Sequence, residues 1–302
     1  MRTILIAGLV ALALGLTGCY KPEARSYPLG HEKNPLVMAF VPSTEAEKVI
    51  SSGESLAALL AEQTELHFKP HLATSYVSIV EAMAVGKVHV AWLPPMAYVF
   101  AHDRNGDEVV LKVVRHGSPT YRGQIVVMAD SGIESIADLK GKRIAFADQT
   151  SASGHYYPAV LLKQHGIDPA ADMEIMWAGS HDAGLVALVK GSVDVACSYD
   201  DAREKLETAG FTDIMETTRI LAYTPDIPAD NVALIKELDS QLKYKITAGL
   251  LALAESEHGQ QVLMDLYEIE GLVPAADTDY DPVREMVAAL DKDIEEEVRQ
   301  GN

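Results

Sequence analysis

Short apolar runs alternate with amphipathic segments along most of this chain, from Leu36 onward. Continuous apolar runs of this length predict buried strands, and the periodic segments between them predict helices. Repeated strand-helix order favours α/β architecture with mostly parallel sheets. The predicted strands are 36–41, 66–69, 88–92, 109–115, 124–129, 142–147, 174–177 and 193–197.

Helix boundaries are marked by capping and breaking residues. Thr44 to Glu47 forms a capping-box pattern, a helix is predicted from Ser75 to Val85 before Gly86, and Pro94 with Pro95 opens another. From Ser240 to the end the pattern is almost wholly helical. We predict two α/β lobes, with lobe 1 formed by residues 36–121 and 224–302 and lobe 2 by residues 122–223.

The N-terminus has the pattern of an export signal. Arg2 precedes an apolar run that is too short to span a bilayer as a stable helix, and the run ends in Leu16-Thr17-Gly18-Cys19. A cysteine at that place resembles the bacterial lipobox, which implies lipidation of Cys19. We therefore expect a signal peptide at residues 1–18 and a lipidated tether at residues 19–35, rich in proline and irregular in pattern.

Composition narrows the range of partners. The formal charge is −19, which disfavours non-specific binding to nucleic acid and requires any anion to be captured by local geometry. Hydrophobic residues make up 48% of the chain, enough for one large or two medium cores. No pattern indicates a metal site, a cofactor site or a catalytic nucleophile, so none of the three is expected.

The segment from Thr150 to Pro158 combines small residues and hydrogen-bond donors between a predicted strand and a predicted helix. The first N–H groups of a helix lack intrahelical partners and carry the positive end of the helix dipole, so such a junction suits an anion. An ordinary serine cap on a surface turn explains the same residues, and only their context separates the two interpretations.

Several segments together resemble one family, the phosphonate-, phosphite- and phosphate-binding components of bacterial ABC importers, within the type II periplasmic binding proteins. The resemblance extends over nearly the whole chain after the tether and implies a two-lobe α/β fold with a hinged ligand cleft. It rests on the order and spacing of 40–48, 76–83, 86–95, 117–123, 138–143, 150–158, 179–182, 191–196 and 227–230.

The resemblance also implies ligand-binding residues. Carried over by position, the residues for the phosphorus end are Tyr76, Tyr121, Ser151, Ser153 and His181. Ala152 stands where the family has a hydroxyl, so it and Gly154 are expected to contribute through their backbone. Hydroxyls, phenols and an imidazole can donate hydrogen bonds to an oxyanion that only accepts them. Each also has a structural explanation, since the tyrosines can pack helices or strands and His181 can cap a helix.

The family members that bind an ammonium group place two carboxylates at the other end of the ligand. The matching residues here are Asp201 and Asp230. Two carboxylates disfavour a bare dianion, whereas a ligand with a cationic group removes that conflict. As an alternative, these aspartates cap helices or face solvent.

The predicted function is that of a solute-binding lipoprotein of an ABC importer for a phosphonate such as 2-aminoethylphosphonate. Its expected partners are a small phosphorus oxyanion ligand, the permease subunits and the membrane through the N-terminal lipid. We expect a monomer, no catalysis, and an exported protein of the cell envelope that is lipid-anchored at the periplasmic or extracellular face of the membrane. Open alternatives are a phosphate, phosphite or thiamine-phosphate binding protein and a ligand-binding sensor for a membrane kinase.

Overall fold

The computed structural model describes residues 27–41, 46–200 and 202–290. The expected signal peptide, Cys19 and Asp201 lie outside these residues, as do residues 20–26 of the predicted tether. Lipidation of Cys19 and the monomeric state stay predictions. Within the described part of the chain, no helix is long and apolar enough to cross a membrane.

In the described part of the chain, eleven strands form two separate sheets. In chain order they are β1 (Leu36–Phe40), β2 (Phe68–Leu72), β3 (Val90–Leu93), β4 (Glu108–Val114), β5 (Thr120–Met128), β6 (Arg143–Phe146), β7 (Glu174–Trp177), β8 (Val195–Tyr199), β9 (Thr218–Pro228), β10 (Asn231–Leu234) and β11 (Gly271–Pro274). The first sheet has the order β11-β4-β10-β3-β1-β2, and the second has the order β7-β6-β8-β5-β9. Each sheet with its helices is one lobe, so the predicted two-lobe architecture is confirmed.

Helices cover the sheets. In chain order they are α1 (Ala46–Thr64), α2 (Tyr76–Ala84), α3 (Pro95–Asn105), α4 (Tyr157–Gln164), α5 (Pro169–Asp172), α6 (His181–Val189), α7 (Ala202–Thr208), α8 (Ile214–Thr217), α9 (Ser240–Glu255), α10 (Glu257–Tyr267) and α11 (Asp281–Ala288). Short 3₁₀ turns occur at Ile136–Leu139 and Asp277–Tyr280, and a π-helical turn at Ala152–Tyr156 precedes α4. The apolar faces of these helices pack on strand residues that are almost completely buried.

The expectation of mostly parallel sheets is wrong. Four strand pairs are parallel and five are antiparallel. Four of the antiparallel pairs arise because the chain returns to the sheets through β9, β10 and β11, which the pattern of apolar runs did not reveal, and the fifth joins β5 to β8. β11 also interrupts the region after Ser240 that was predicted to be almost wholly helical, and it pairs with β4.

The two crossings between the lobes are themselves strands. β5 and β9 pair along most of their length, from Thr120 opposite Pro228 to Met128 opposite Thr218. The predicted lobe limits at residues 121/122 and 223/224 fall inside these strands, so those exact limits stay a prediction. The pairing places Tyr121 and Asp230 near the start of one crossing and the end of the other.

Candidate functional site

A cavity of about 620 Å³ lies between the two lobes. Parallel strands and the loops after them open toward it, as expected for ligand sites in α/β sheets. Seven of the predicted ligand residues line its wall, namely Tyr76, Tyr121, Ser151, Ala152, Ser153, His181 and Asp230. The tertiary structure therefore brings together residues that are up to 154 positions apart in the sequence, from Tyr76 to Asp230.

Tyr76 is the first residue of α2, and its position is set by a capping box. Ser78 N donates to Ser75 Oγ at 3.1 Å, and Ser75 N donates to Ser78 Oγ at 3.0 Å. Burial raises the pKa of the Tyr76 phenol, and the carboxylates of Asp230 and Asp148 raise it further. The phenol is therefore neutral and keeps its proton for donation.

Tyr121 lies in β5 and also lines the cavity. Burial raises the pKa of its phenol well above the usual range, and Asp230 adds to the rise, whereas Ser153 and Arg115 act in the opposite direction. Two neutral phenols thus face the cavity with donor protons. A buried neutral donor suits an oxyanion because it gains a charge-assisted hydrogen bond without a counter-charge of its own.

The loop predicted to hold an anion forms a π-helical turn with Ser151 at its N-terminal cap. Thr150 is anchored to Asp148, whose Oδ1 accepts from the Thr150 N–H at 2.8 Å and from its hydroxyl at 2.6 Å. Within the described residues, no hydrogen-bond acceptor meets the N–H groups of Ala152 and Ser153. These free donors at the start of the turn are available to a ligand.

Gly154 supports the site from behind. It is not part of the cavity wall, and its N–H donates to Ser151 Oγ at 3.0 Å. A Cβ at this position would lie 2.6 Å from Ala147 Cβ and 2.9 Å from both His181 Cε1 and Ser151 Oγ. Direct contact of Gly154 with the ligand stays a prediction, and the structure adds a steric role, because only glycine permits this close approach.

His181 begins α6, where Ser180 caps the helix. The pKa of His181 is lowered to about 4, mainly by burial; the charge of Asp148 opposes this shift and that of Lys205 adds to it. The imidazole is therefore neutral near pH 7 and has a single N–H. Ser198 Oγ lies 3.3 Å from Nδ1 and Ser151 Oγ lies 3.5 Å from Nε2, so a proton on Nε2 points toward Ser151 at the cavity wall.

Asp230 lines the cavity as predicted, but its carboxylate is paired. Arg115 Nη1 lies 3.0 Å from Asp230 Oδ2, and Arg115 Nε donates to the carbonyl of Tyr267 at 2.8 Å. The second predicted carboxylate, Asp201, is outside the described residues, so its place at the ligand stays a prediction. Its neighbour Asp200 is engaged by Arg122, with its Oδ2 3.5 Å from Nε.

Acidic side chains outnumber basic ones in the cavity wall. The basic residues of the described wall are Arg115, Arg122 and Lys205, and its acidic residues are Asp200, Glu204, Asp226, Asp230 and Glu268. Each of the three cations is already paired with one of these carboxylates. Glu204 and Asp226 have no ion-pair partner among the described residues.

Lys205 and Glu268 join the two lobes across the cleft. Lys205 Nζ on α7 lies 3.0 Å from Glu268 Oε2, which directly follows α10. Glu268 has a left-handed backbone with φ of 56°, which is uncommon for any residue except glycine. Lys205 also lies over the ring of Tyr199, 5.6 Å from its centroid, and Tyr199 packs edge-on against His181.

We expect Glu268→Gln to speed the release of bound ligand about two- to fivefold, because a partly exposed ion pair contributes about 0.2–1 kcal/mol. Stopped-flow fluorescence gives the dissociation rate, and the difference from the wild type should shrink at high salt. Glu62→Gln, which removes an exposed charge on the same lobe, is the matched control. Equal release rates for the wild type and Glu268→Gln at low salt would contradict this role.

Sequence reasoning missed Arg115, Lys205, Glu268 and Asp226. Arg115 ends a predicted strand, and ligand residues are expected at strand ends in α/β folds. Its position in the sequence could therefore have identified it. Lys205 and Glu268 carry no local signal, because their importance comes from opposite sides of a cleft. In the described residues, no group of three or more potential ligands could hold a metal ion.

The chain is similar to known periplasmic substrate-binding proteins. A family profile described as "ABC transporter, phosphonate, periplasmic substrate-binding protein" matches residues 38–280. The "Phosphate-import protein PhnD" of Mycolicibacterium smegmatis is 27% identical over 298 residues, with 90% of each chain covered. The "Phosphonates-binding periplasmic protein" of Escherichia coli is 30% identical over 179 residues, which cover 58% of this chain and 53% of that protein.

A solved structure supports the fold. PhnD1 from Prochlorococcus marinus in complex with methylphosphonate superposes with a TM-score of 0.74, at 18% identity, covering 85% of this chain and 98% of the other. At this identity the likeness establishes the two-lobe fold and leaves the ligand of this chain open.

Proposed function

The chain belongs to the family of phosphonate-binding periplasmic components of ABC transporters, and we propose that it captures a phosphonate whose other end carries a cationic amine. It is a substrate-binding component of an importer and not an enzyme. The finer proposal concerns the ligand. We further propose that the protein is anchored through Cys19 and hands its ligand to the permease subunits.

The phosphorus end of the ligand would be held by neutral donors. The phenols of Tyr76 and Tyr121, the hydroxyls of Ser151 and Ser153, and the imidazole of His181 line one region of the cavity. All are donors that need no counter-ion, and the free N–H groups of Ala152 and Ser153 add to them. Such a set can surround the oxygens of a phosphonate group.

The excess of carboxylates in the cavity wall is the observation that supports an amine on the ligand. Five described carboxylates face three cations, and all three cations are already paired. A dianion brought into this wall without a positive charge of its own would be repelled by the surplus carboxylates. An ammonium group on the ligand offsets that repulsion.

We expect isothermal titration to rank 2-aminoethylphosphonate above methylphosphonate and phosphate. Asp230→Asn should weaken 2-aminoethylphosphonate by about tenfold or more, because hydrogen bonds to charged groups contribute about 1.5–3 kcal/mol. The same variant should leave methylphosphonate unchanged or strengthened. Asp130→Asn, which removes one exposed negative charge away from the cavity, is the control.

A bare phosphate or phosphite dianion is the second candidate, and the ion pair between Arg115 and Asp230 favours it, since the pair reduces the negative charge of that wall. The similarity to a phosphate-import protein points the same way. In that case phosphate would bind best and Asp230→Asn would not weaken it. Failure of all phosphorus oxyanions, including thiamine phosphates, to bind would refute both candidates.

A further inference from the structure

We propose that the cleft is built for a phosphonate that carries an α-amino acid group, with both an ammonium and a carboxylate. This inference rests on the proposed function and names the ligand class more closely. The observation behind it is the pair of Arg115 and Asp230, which presents one positive and one negative group side by side at the cavity wall. An ammonium and a carboxylate on one carbon are the complementary arrangement.

Both partners of the pair keep unused bonding capacity. Arg115 uses Nη1 for Asp230 Oδ2 and Nε for the carbonyl of Tyr267. Among the described residues, neither Arg115 Nη2 nor Asp230 Oδ1 has a hydrogen-bond partner. The side chains are 26% and 34% exposed, so solvent or a ligand can reach both groups. Nη2 can donate to a carboxylate while Oδ1 accepts from an ammonium.

The pair lies next to the donors for the phosphorus end. The carboxylate of Asp230 raises the pKa of both Tyr76 and Tyr121, and the guanidinium of Arg115 acts on Tyr121 in the opposite direction. Tyr76 and Tyr121 line the same cavity as Arg115 and Asp230, and β5, which carries Tyr121, pairs with β9 up to Pro228, just before Asp230. One small molecule can therefore contact the phenols and the pair together. The volume of about 620 Å³ leaves room for a carboxylate beyond an aminoalkyl phosphonate.

Contacts within the protein fix the position of Arg115. A tight turn follows it, in which Arg115 N donates to the carbonyl of Ser118 at 3.0 Å and Ser118 N donates back at 2.9 Å. His116 and Gly117 at the centre of this turn both have left-handed φ angles, of 50° and 68°. The bond from Nε to the Tyr267 carbonyl then orients the guanidinium. A donor held in place in this way loses little conformational freedom on binding.

A ligand with an amine alone fits this wall less well. Its ammonium would meet Asp230 but would also lie close to the guanidinium of Arg115, which repels it. A ligand with a carboxylate alone would contact the guanidinium of Arg115, but the carboxylate of Asp230 would repel it. Only a group of both signs satisfies the two partners without breaking the pair.

The test is isothermal titration of the wild type with four matched ligands. 2-Amino-3-phosphonopropionate carries both the amine and the carboxylate, and 2-aminoethylphosphonate carries the amine alone. 3-Phosphonopropionate carries the carboxylate alone, and ethylphosphonate carries neither group. We expect the first to bind at least tenfold more tightly than each of the others. Arg115→Gln should abolish its advantage over 2-aminoethylphosphonate, whereas Arg104→Gln, an exposed arginine on the same lobe, should preserve it.

The outcomes separate the inference from the proposed function. If 2-aminoethylphosphonate binds the wild type as tightly as 2-amino-3-phosphonopropionate, the amino acid inference is overturned and the amine-bearing phosphonate stands. If ethylphosphonate or phosphate binds best, the amine itself is overturned. Because the wild-type series alone decides these cases, the test does not depend on the folding of Arg115→Gln.

Discussion

Replacing Gly154 with alanine is expected to weaken phosphonate binding by about a hundredfold or more. The added Cβ would lie 2.6 Å from Ala147 Cβ and 2.9 Å from both His181 Cε1 and Ser151 Oγ. Real carbon atoms do not approach so closely, so the turn, His181 or both must move. Either movement displaces hydrogen-bond donors proposed to hold the phosphorus group, and small displacements of aligned groups weaken binding strongly.

The measurement is isothermal titration with the tightest wild-type ligand, together with thermal unfolding. We expect overpacking to lower the free energy of unfolding by about 1–3 kcal/mol, which leaves a folded protein to assay. Gly184→Ala is the matched control, because Gly184 lies on the same helix as His181 and its Cβ would have ordinary contacts at 3.6 and 3.7 Å. Wild-type affinity in Gly154→Ala would show that the turn does not hold the ligand.

The second large effect is expected for the double variant Tyr76→Phe/Tyr121→Phe. Burial keeps both phenols neutral, so each offers its proton to an acceptor in the cavity. Loss of one hydrogen bond to a charged group costs about 1.5–3 kcal/mol, and loss of two corresponds to about a hundredfold weaker binding or more. All phosphorus ligands should lose affinity alike, since the phenols face the group they share.

The affinity of both single variants and of the double variant checks this expectation by titration. Phenylalanine keeps the ring that packs in the wall, so thermal unfolding should change little. Tyr244→Phe, at a side chain that is 75% exposed, provides the control for loss of a hydroxyl. If the double variant loses affinity only for amine-bearing ligands, the phenols bind the other end and the orientation proposed here is wrong.

Much of the fold could be predicted because local patterns dominate it. The strand before the Ser151 turn and the helix starting near Tyr76 follow from apolar runs and capping residues, and the structure contains both. The direction of the strands could not be predicted in the same way. β9, β10 and β11 join their sheets through pairings between residues far apart in the chain, and those pairings leave no local periodicity.

The candidate site shows the same division between local and distant information. By itself, the sequence determined the family through the order and spacing of its motifs, and it predicted the ligand residues Tyr76, Tyr121, Ser151 and His181, which the structure places around one cavity. Only the tertiary structure decided that Arg115 pairs with Asp230, that Lys205 meets Glu268 across the cleft, and that Gly154 lies close to Ala147, His181 and Ser151 behind the cavity wall. The physical reason is that charge pairing and close approach depend on distance in space, and residues 115 and 230 become neighbours only when the strands that carry them fold together.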